Sequence, residues 1–194
     1  MSRLDSFIRR MKAQRACLDR AASLIRAMPG NVLEFGLGNG RTYDHLRERL
    51  PHRDIFVFDR QMLAHPSCVP PPDHFFRGEV LETLPRAIAQ LGANSALANV
   101  DIGTGEEDET RALVRAITPL MLQLLKPGAV VVSGGPLEHG QLIAMPLPAG
   151  IKPNRHFLYT RIDEAAIAAL AGLHPANANQ HRGRRYALVD RKRV

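Results

Sequence analysis

The stretch that most restricts the fold is Asn31-Val-Leu-Glu-Phe35, which runs straight into Gly36-Leu-Gly38-Asn-Gly40-Arg-Thr42. A short apolar run is followed by three glycines at alternate positions. A helical pattern from Thr42 to Leu50 comes next, and Pro51 ends it. Glycine adopts φ > 0 without steric cost and places no Cβ between backbone and ligand, so a strand, a glycine turn and a helix in this order read as backbone built for close approach to a bound group. The next apolar run, Asp54-Ile-Phe-Val-Phe-Asp59, is rich in β-branched and aromatic residues and ends in a carboxylate. Two strands joined through a helix commit the chain to a parallel sheet.

The alternation continues on both sides of this unit. Leu4 to Met28 carries apolar residues at helical spacing and reads as one or two amphipathic helices, ended by Pro29-Gly30. Residues 60–73 form a loop, since Pro70, Pro71 and Pro72 resist both helix and central strand. His74 to Arg77 is a short strand, Leu81 to Leu91 a helix despite Pro85, and Ser95 to Val100 a buried strand. Glu106 to Leu125 is a long helix with acidic residues in its first turn, stopped by Lys126-Pro127-Gly128, and Ala129 to Ser133 is a fifth strand. Beyond Gly134 the chain is broken by Pro136, Pro146, Pro148 and Pro153; then follow a strand from His156 to Arg161, a helix from Asp163 to Leu173 capped by Asp163, and a last strand from Arg185 to Val189 that pairs antiparallel. The expectation is an α/β fold with a doubly wound, mostly parallel seven-stranded sheet and an N-terminal helical extension. With 194 residues, 45% of them apolar, the chain can bury one substantial core. We therefore expect one domain over 1–194, made of a helical cap (1–29), a ligand-binding core (30–135) and a substrate-side segment with the last strands (136–194).

Composition removes several alternatives. No apolar run reaches the length of a membrane span and the N-terminus is too charged for a secretory signal, which points to a cytoplasmic protein. Cys17 and Cys68 form no CxxC or Cys/His cluster and the eight histidines are scattered, so neither a metal site nor a disulfide framework is signalled. The net charge of +7 is concentrated at the ends: residues 1–20 hold six Arg/Lys against two Asp, and residues 181–194 hold six against one. Only Phe7 and Tyr186 stand among the terminal charges, too few for aromatic interleaving, so solvated helix face and basic tail is the favoured reading over a nucleic-acid patch.

In a doubly wound sheet ligands bind beyond the carboxyl ends of the strands, so the residues ending each strand carry the chemistry. The first ends in Glu34, Phe35, Gly36, Gly38, Asn39, Gly40 and Thr42; the second in Asp59, whose two oxygens could each accept a bond from a ribose hydroxyl, and Arg60. The third leads to Gly78, Glu79 and Val80, and the fourth to Asp101 and Ile102, where a carboxylate suits an ammonium or sulfonium ligand. Glu34-x-Gly36-x-Gly38-x-Gly40 with Asp59 about twenty residues on resembles the first two motifs of class I S-adenosylmethionine-dependent methyltransferases. Gly78-Glu79 is similar to their third motif, although Asp is commoner there, Asn99-Val100-Asp101 matches the fourth loosely, and Leu124-Leu-Lys-Pro-Gly128 is similar to the segment before their fifth strand. The resemblance covers roughly residues 30 to 135 and is closest to small bacterial methyltransferases of unassigned substrate. It implies that S-adenosyl-L-methionine is the cofactor, with its methionine part at the glycine loop, its ribose at Asp59 and its adenine at Glu79. Dehydrogenases space their glycines as GxGxxG, whereas Arg41 stands where their third glycine would be.

What is methylated stays open at this point. Asp101-Ile-Gly-Thr occupies the place of the Asn/Asp-Pro-Pro-aromatic tetrapeptide that grips a planar nitrogen in adenine- and glutamine-methylating enzymes, which speaks against that chemistry. Tyr43, His45, His65, His139, His156 and Tyr159 are candidate bases, and their spacing selects none. A small-molecule acceptor held between the N-terminal helix and the segment from Gly134 to Asn154 is the first reading. The alternatives are an RNA or other polyanion bound through the basic termini, and a non-catalytic cofactor-binding module that acts as a homodimer through its N-terminal helix.

Overall fold

In the computed structural model, which describes residues 2–172, hydrophobic alternation along each strand feeds two separate cores. Leu33, Phe35, Phe56, Phe58, Ala98, Val100 and Val131 face one side of the sheet, while Val32, Ile55, Val57, Leu97, Val130 and Val132 face the other. This period-two pattern with both faces apolar is what a sheet covered by helices on each side requires. The strands are β1 (Asn31–Phe35), β2 (Ile55–Asp59), β3 (Phe75–Arg77), β4 (Ser95–Val100), β5 (Leu125–Ser133), β6 (Leu142–Ala144) and β7 (Phe157–Arg161). They lie in the order β3-β2-β1-β4-β5-β7-β6. The first five run parallel, β7 is antiparallel to β5, and β6 is antiparallel to β7. The chain order reverses between β1 and β4, which makes that junction the switch point of the sheet.

The helices are α1 (Arg3–Leu24), α2 (Arg41–Arg49), α3 (Val80–Leu91), α4 (Glu107–Leu124) and α5 (Glu164–Gly172). A single helix spans most of the N-terminal amphipathic stretch. It begins at a capping box in which Ser2 and Asp5 satisfy each other's backbone N–H groups. Through Cys17, Leu18, Ala21, Ala22 and Ile25, the chain around α1 packs with α2 on one face of the sheet; α3 and α4 cover the other. Contacts divide the chain into two units, Met1–Arg161 and Ile162–Val194. Within the second, the Asp163 carboxylate accepts the backbone N–H of Ala166 at the start of α5, the cap expected there.

Two expectations are corrected. Helix α4 ends at Leu124, but β5 starts at Leu125 instead of Ala129, so Lys126-Pro127-Gly128 lies inside the strand, next to a shift of the β4–β5 register. The proline-broken stretch after Gly134 contains a three-residue strand, β6, that was not expected; its pairing with β7 orders it, and no pattern of its own predicts it. The expected strand at residues 185–189, the basic tail and the last residue of the expected helix at 163–173 lie outside the described residues.

Candidate functional site

Pairing registers bring the ends of the five parallel strands to one edge. The ladders run on past the strands: the N–H of Gly36 donates to Phe58 O at 2.9 Å, that of Gly78 to Asp59 O at 3.0 Å, that of Asp101 to Phe35 O at 2.9 Å, and that of Gly134 to Val100 O at 3.0 Å. Glycine is required where this edge is tightest. At Gly36, with φ of 91°, a Cβ would stand 2.5 Å from the Asp101 carbonyl oxygen; Gly38, with φ of 49°, has open space where its Cβ would be.

The Asp59 carboxylate is anchored to the glycine turn. Its Oδ2 accepts the N–H groups of Leu37 at 2.7 Å and Gly38 at 3.1 Å, and its Oδ1 accepts that of Gln61 at 3.1 Å. A carboxylate offers about four lone-pair positions, so three backbone bonds leave capacity for one more donor. Beside it is a cavity of ≈ 220 Å³ lined by nine of the expected residues: Gly36, Gly38, Asp59, Arg60, Gly78, Glu79, Val80, Asp101 and Ile102. Phe58, Leu113, Gly103 and Thr104 complete it; the first two add apolar surface. Three carboxylates against one guanidinium give the cavity a negative field suited to a cationic ligand. Arg60 and Glu79 approach each other to 3.9 Å, both well exposed.

The remaining expected residues lie off this cavity. Glu34 is fully buried: Asn99 Nδ2 donates to its Oε2 at 3.0 Å, and the Thr42 hydroxyl donates to its Oε1. Glu34 and Asn99 are cross-strand partners in the β1–β4 register, so the bond ties the switch point together under the glycine turn. Loss of solvent pushes the Glu34 carboxyl up to about 8, against the opposing effect of those two bonds and helped by the nearby Asp101 charge. Phe35 stacks on Phe58 with ring centroids 4.5 Å apart. Gly40 caps α2 in the left-handed conformation, where a Cβ would meet Cys68 at 2.6 Å, and Asn39 is exposed on the turn.

A second, larger cavity of ≈ 680 Å³ shares Asp101, Ile102 and Gly103 with the first. Arg10 of α1, the turn from Ser133 to Pro136, the start of α4 and residues 154–157 line it. Helix α1 also holds the carboxylate common to both cavities: Gln14 Nε2 donates to Asp101 Oδ2 at 2.7 Å, and Arg10 Nη2 lies 3.7 Å from Oδ1. Sequence reasoning missed Gln14, only 5% exposed. Its signal was a polar side chain within the apolar stripe of α1, three residues after Met11 and four before Leu18.

Among the six candidate bases only His156 reaches either cavity. His45 Nε2 pairs with Asp19 at 3.1 Å, His65 Nδ1 with the Ser67 hydroxyl at 2.8 Å, and His139 Nδ1 accepts the Gln141 N–H at 3.2 Å. The Tyr159 hydroxyl accepts the Leu137 N–H at 2.9 Å, and Tyr43 is buried against α1. Cys17 lies in the same core, and burial pushes its thiol up to about 11. Among the described residues no three His, Cys, Asp or Glu side chains stand close enough to hold a metal ion, and no helix is long and apolar enough to cross a membrane.

Comparison with known proteins gives a consistent result. The profile of a family described as S-adenosyl-L-methionine methyltransferase matches residues 1–161. The crystal structure of an S-adenosyl-L-methionine methyl transferase from Silicibacter pomeroyi DSS-3 is 40% identical in sequence, with a TM-score of 0.79, covering 83% of this chain and 99% of that one. Human methyltransferase-like protein 13, crystallised with S-adenosylhomocysteine (SAH), is 14% identical with a TM-score of 0.48, over 87% of this chain and 89% of its own. No curated protein matches.

Proposed function

Since the chain belongs to the S-adenosyl-L-methionine methyltransferase family, we propose that the smaller cavity receives the methyl donor and the larger one a small-molecule acceptor. The observation that carries this reading is the junction: two cavities of different character meet at Asp101, Ile102 and Gly103 at the switch point of the sheet.

The residues present suit the donor. Gly36 and Gly38 leave backbone exposed where the methionine part would lie, and Asp59 keeps an acceptor position for a ribose hydroxyl. Phe58, Val80, Ile102 and Leu113 offer apolar surface to a flat base, with Glu79 at the rim for its amino group. Glu34 and Thr42 hold the turn from below and do not touch the ligand. When bound, the donor supplies an activated methyl group; the protein's part is to position an acceptor, keep water away and accept a proton. A volume of ≈ 680 Å³ falls in the range of sites that enclose small ligands, and α1 with residues 134–136 and 154–157 walls it without any further domain.

Calorimetry with SAH tests the donor half of the reading. Binding by the wild type and a loss of about a hundredfold in Asp59→Ala are expected, since the variant frees the turn and removes a charged acceptor. A flat titration of the wild type would refute it.

A further inference from the structure

The larger cavity contains a base with nothing to bond. His156 is 1% exposed, and its Nε2 has no hydrogen-bond partner among the described residues. Its Nδ1 lies 3.3 Å from the Arg155 carbonyl oxygen, an acceptor only, so Nδ1 carries the proton and Nε2 presents a bare lone pair. A buried acceptor left unpaired costs free energy in the absence of a ligand. Other buried polar atoms are unpartnered, on Arg9, Ser95, Asn99 and Arg161, but His156 alone of these residues lines either cavity.

Gly134 leaves a gap beside it. The point where a Gly134 Cβ would stand lies 3.0 Å from Asp101 Oδ1 and 4.0 Å from His156 Cε1, so a missing methyl group opens a space flanked by a carboxylate and an imidazole. That carboxylate is fixed through its other oxygen by Gln14 and belongs to both cavities. The walls are mixed: Val100, Ile102, Val114 and Phe157 supply apolar surface, and Arg10, Glu106, Glu107, Arg111 and Arg155 supply charge.

We propose that the gap at Gly134 seats the hydroxyl of a phenol-type acceptor, and that His156 Nε2 takes its proton; this rests on the assignment of the two cavities above. A hydroxyl must shed its proton as its oxygen is methylated, whereas a neutral amine has a free lone pair already. An imidazole matches a phenol far better than the much weaker acid of an aliphatic alcohol, and the apolar part of the wall, Val100, Ile102, Val114 and Phe157, offers a surface for an aromatic ring. The O–H proton passes to His156 Nε2 and the oxygen pair forms the O–CH₃ bond. The S–CH₃ bonding pair stays on the donor's sulfur, which becomes a neutral thioether, and the imidazolium carries the positive charge. Burial lowers the His156 pKa below its ordinary value, with Arg10 of α1 acting the same way and Asp101 and the Arg155 carbonyl opposing; the end of β5 contributes only uncharged Ser133 and Gly134. The ring is therefore neutral and able to accept a proton at neutral pH.

The test uses the full chain as wild type, His156→Asn and Gly134→Ala, with SAH and p-nitrophenol titrated separately by calorimetry and the His156 ring followed by NMR. Gly134 does not have positive φ, so alanine there meets no backbone strain and presses only on the Asp101 side chain, and this variant backs up a histidine variant that fails to fold. Both variants should bind SAH like the wild type and p-nitrophenol about tenfold more weakly, the loss of one buried hydrogen bond or of the space beside it. The wild-type His156 ring resonance should move on addition of the phenol. No p-nitrophenol binding, equal binding by all three proteins, or an unmoved resonance would overturn the proposal. Failure of the wild type to bind SAH would strike the donor assignment instead, and the phenol titration, run without nucleoside, tells the two failures apart.

Discussion

The two cavities are built by different means. On the side proposed for the donor the walls come from consecutive strand ends and the turns directly after them: Gly36 and Gly38 follow β1, Asp59 ends β2, and Gly78 and Glu79 follow β3. On the side proposed for the acceptor the walls come from α1, from the start of α4, from the turn after β5 and from the residues entering β7, segments far apart in sequence. A site made of backbone and local turns tolerates little change at its glycines but much at its surface. A site made of side chains converging from distant segments is open to redesign, because each wall can change while the sheet beneath remains.

Substitutions on either side can break or sharpen this contrast. The largest effect is expected for Gly36→Ala. A Cβ 2.5 Å from the Asp101 carbonyl, at a φ of 91°, combines a clash with backbone strain, so thermal unfolding should show a loss of about 3 kcal/mol or more and SAH binding should vanish. Wild-type stability would show that the turn is not as tight as the ladder implies.

Next comes the buried carboxyl. The ordinary Glu value is 4.5 and that of folded Glu34 about 8, so between those limits the folded protein holds a proton that the unfolded chain releases. Its stabilising contribution is complete below the lower limit and is lost as pH rises towards the upper one, at about 1.4 kcal/mol per unit. Urea unfolding at about pH 5 and about pH 9 should show this fall in the wild type and a flatter profile in Glu34→Gln, which retains the shape but cannot ionise. Identical slopes would mean that Glu34 is charged in the folded protein.

Smaller effects separate the two sides. Gln14→Leu removes the bond to Asp101 Oδ2 and should cost about 1–2 kcal/mol in stability while SAH affinity stays within about threefold of wild type. A donor affinity that fell with it would mean that α1 supports both cavities alike. Arg60→Ala should change stability by less than about 1 kcal/mol, because its partner Glu79 is exposed and 3.9 Å away; a larger loss would show the pair to be more than a rim contact.

The smaller cavity was legible in the sequence because its parts are local. The glycine spacing, the Asp59 strand end and Gly78-Glu79 each announce themselves within a few residues of a strand, and nine of the fourteen expected residues line one cavity. Of the five that lie off it, two share one cause. Glu34 and Thr42 sit on the motif but point into the protein, where Asn99 meets Glu34 through the β1–β4 register. The motif marks a position; which face of the strand its side chain takes depends on the neighbouring strands. On the acceptor side Gln14 could have been flagged as a polar interruption of an apolar stripe, whereas nothing around His156 distinguishes it from the other histidines.

By itself the sequence determined the parallel, doubly covered architecture and the glycine-rich edge where its strands end, since period-two hydrophobicity, helix periodicity and glycine turns act over a handful of residues. Only the tertiary structure decided that Arg10 and Gln14 reach Asp101, that β6 forms at all, and that an imidazole and a carboxylate flank the gap left by Gly134. Those pairings span 87 residues in the case of Gln14 and Asp101, and a contact between segments so distant is set by how helices pack on the sheet, which no local pattern encodes.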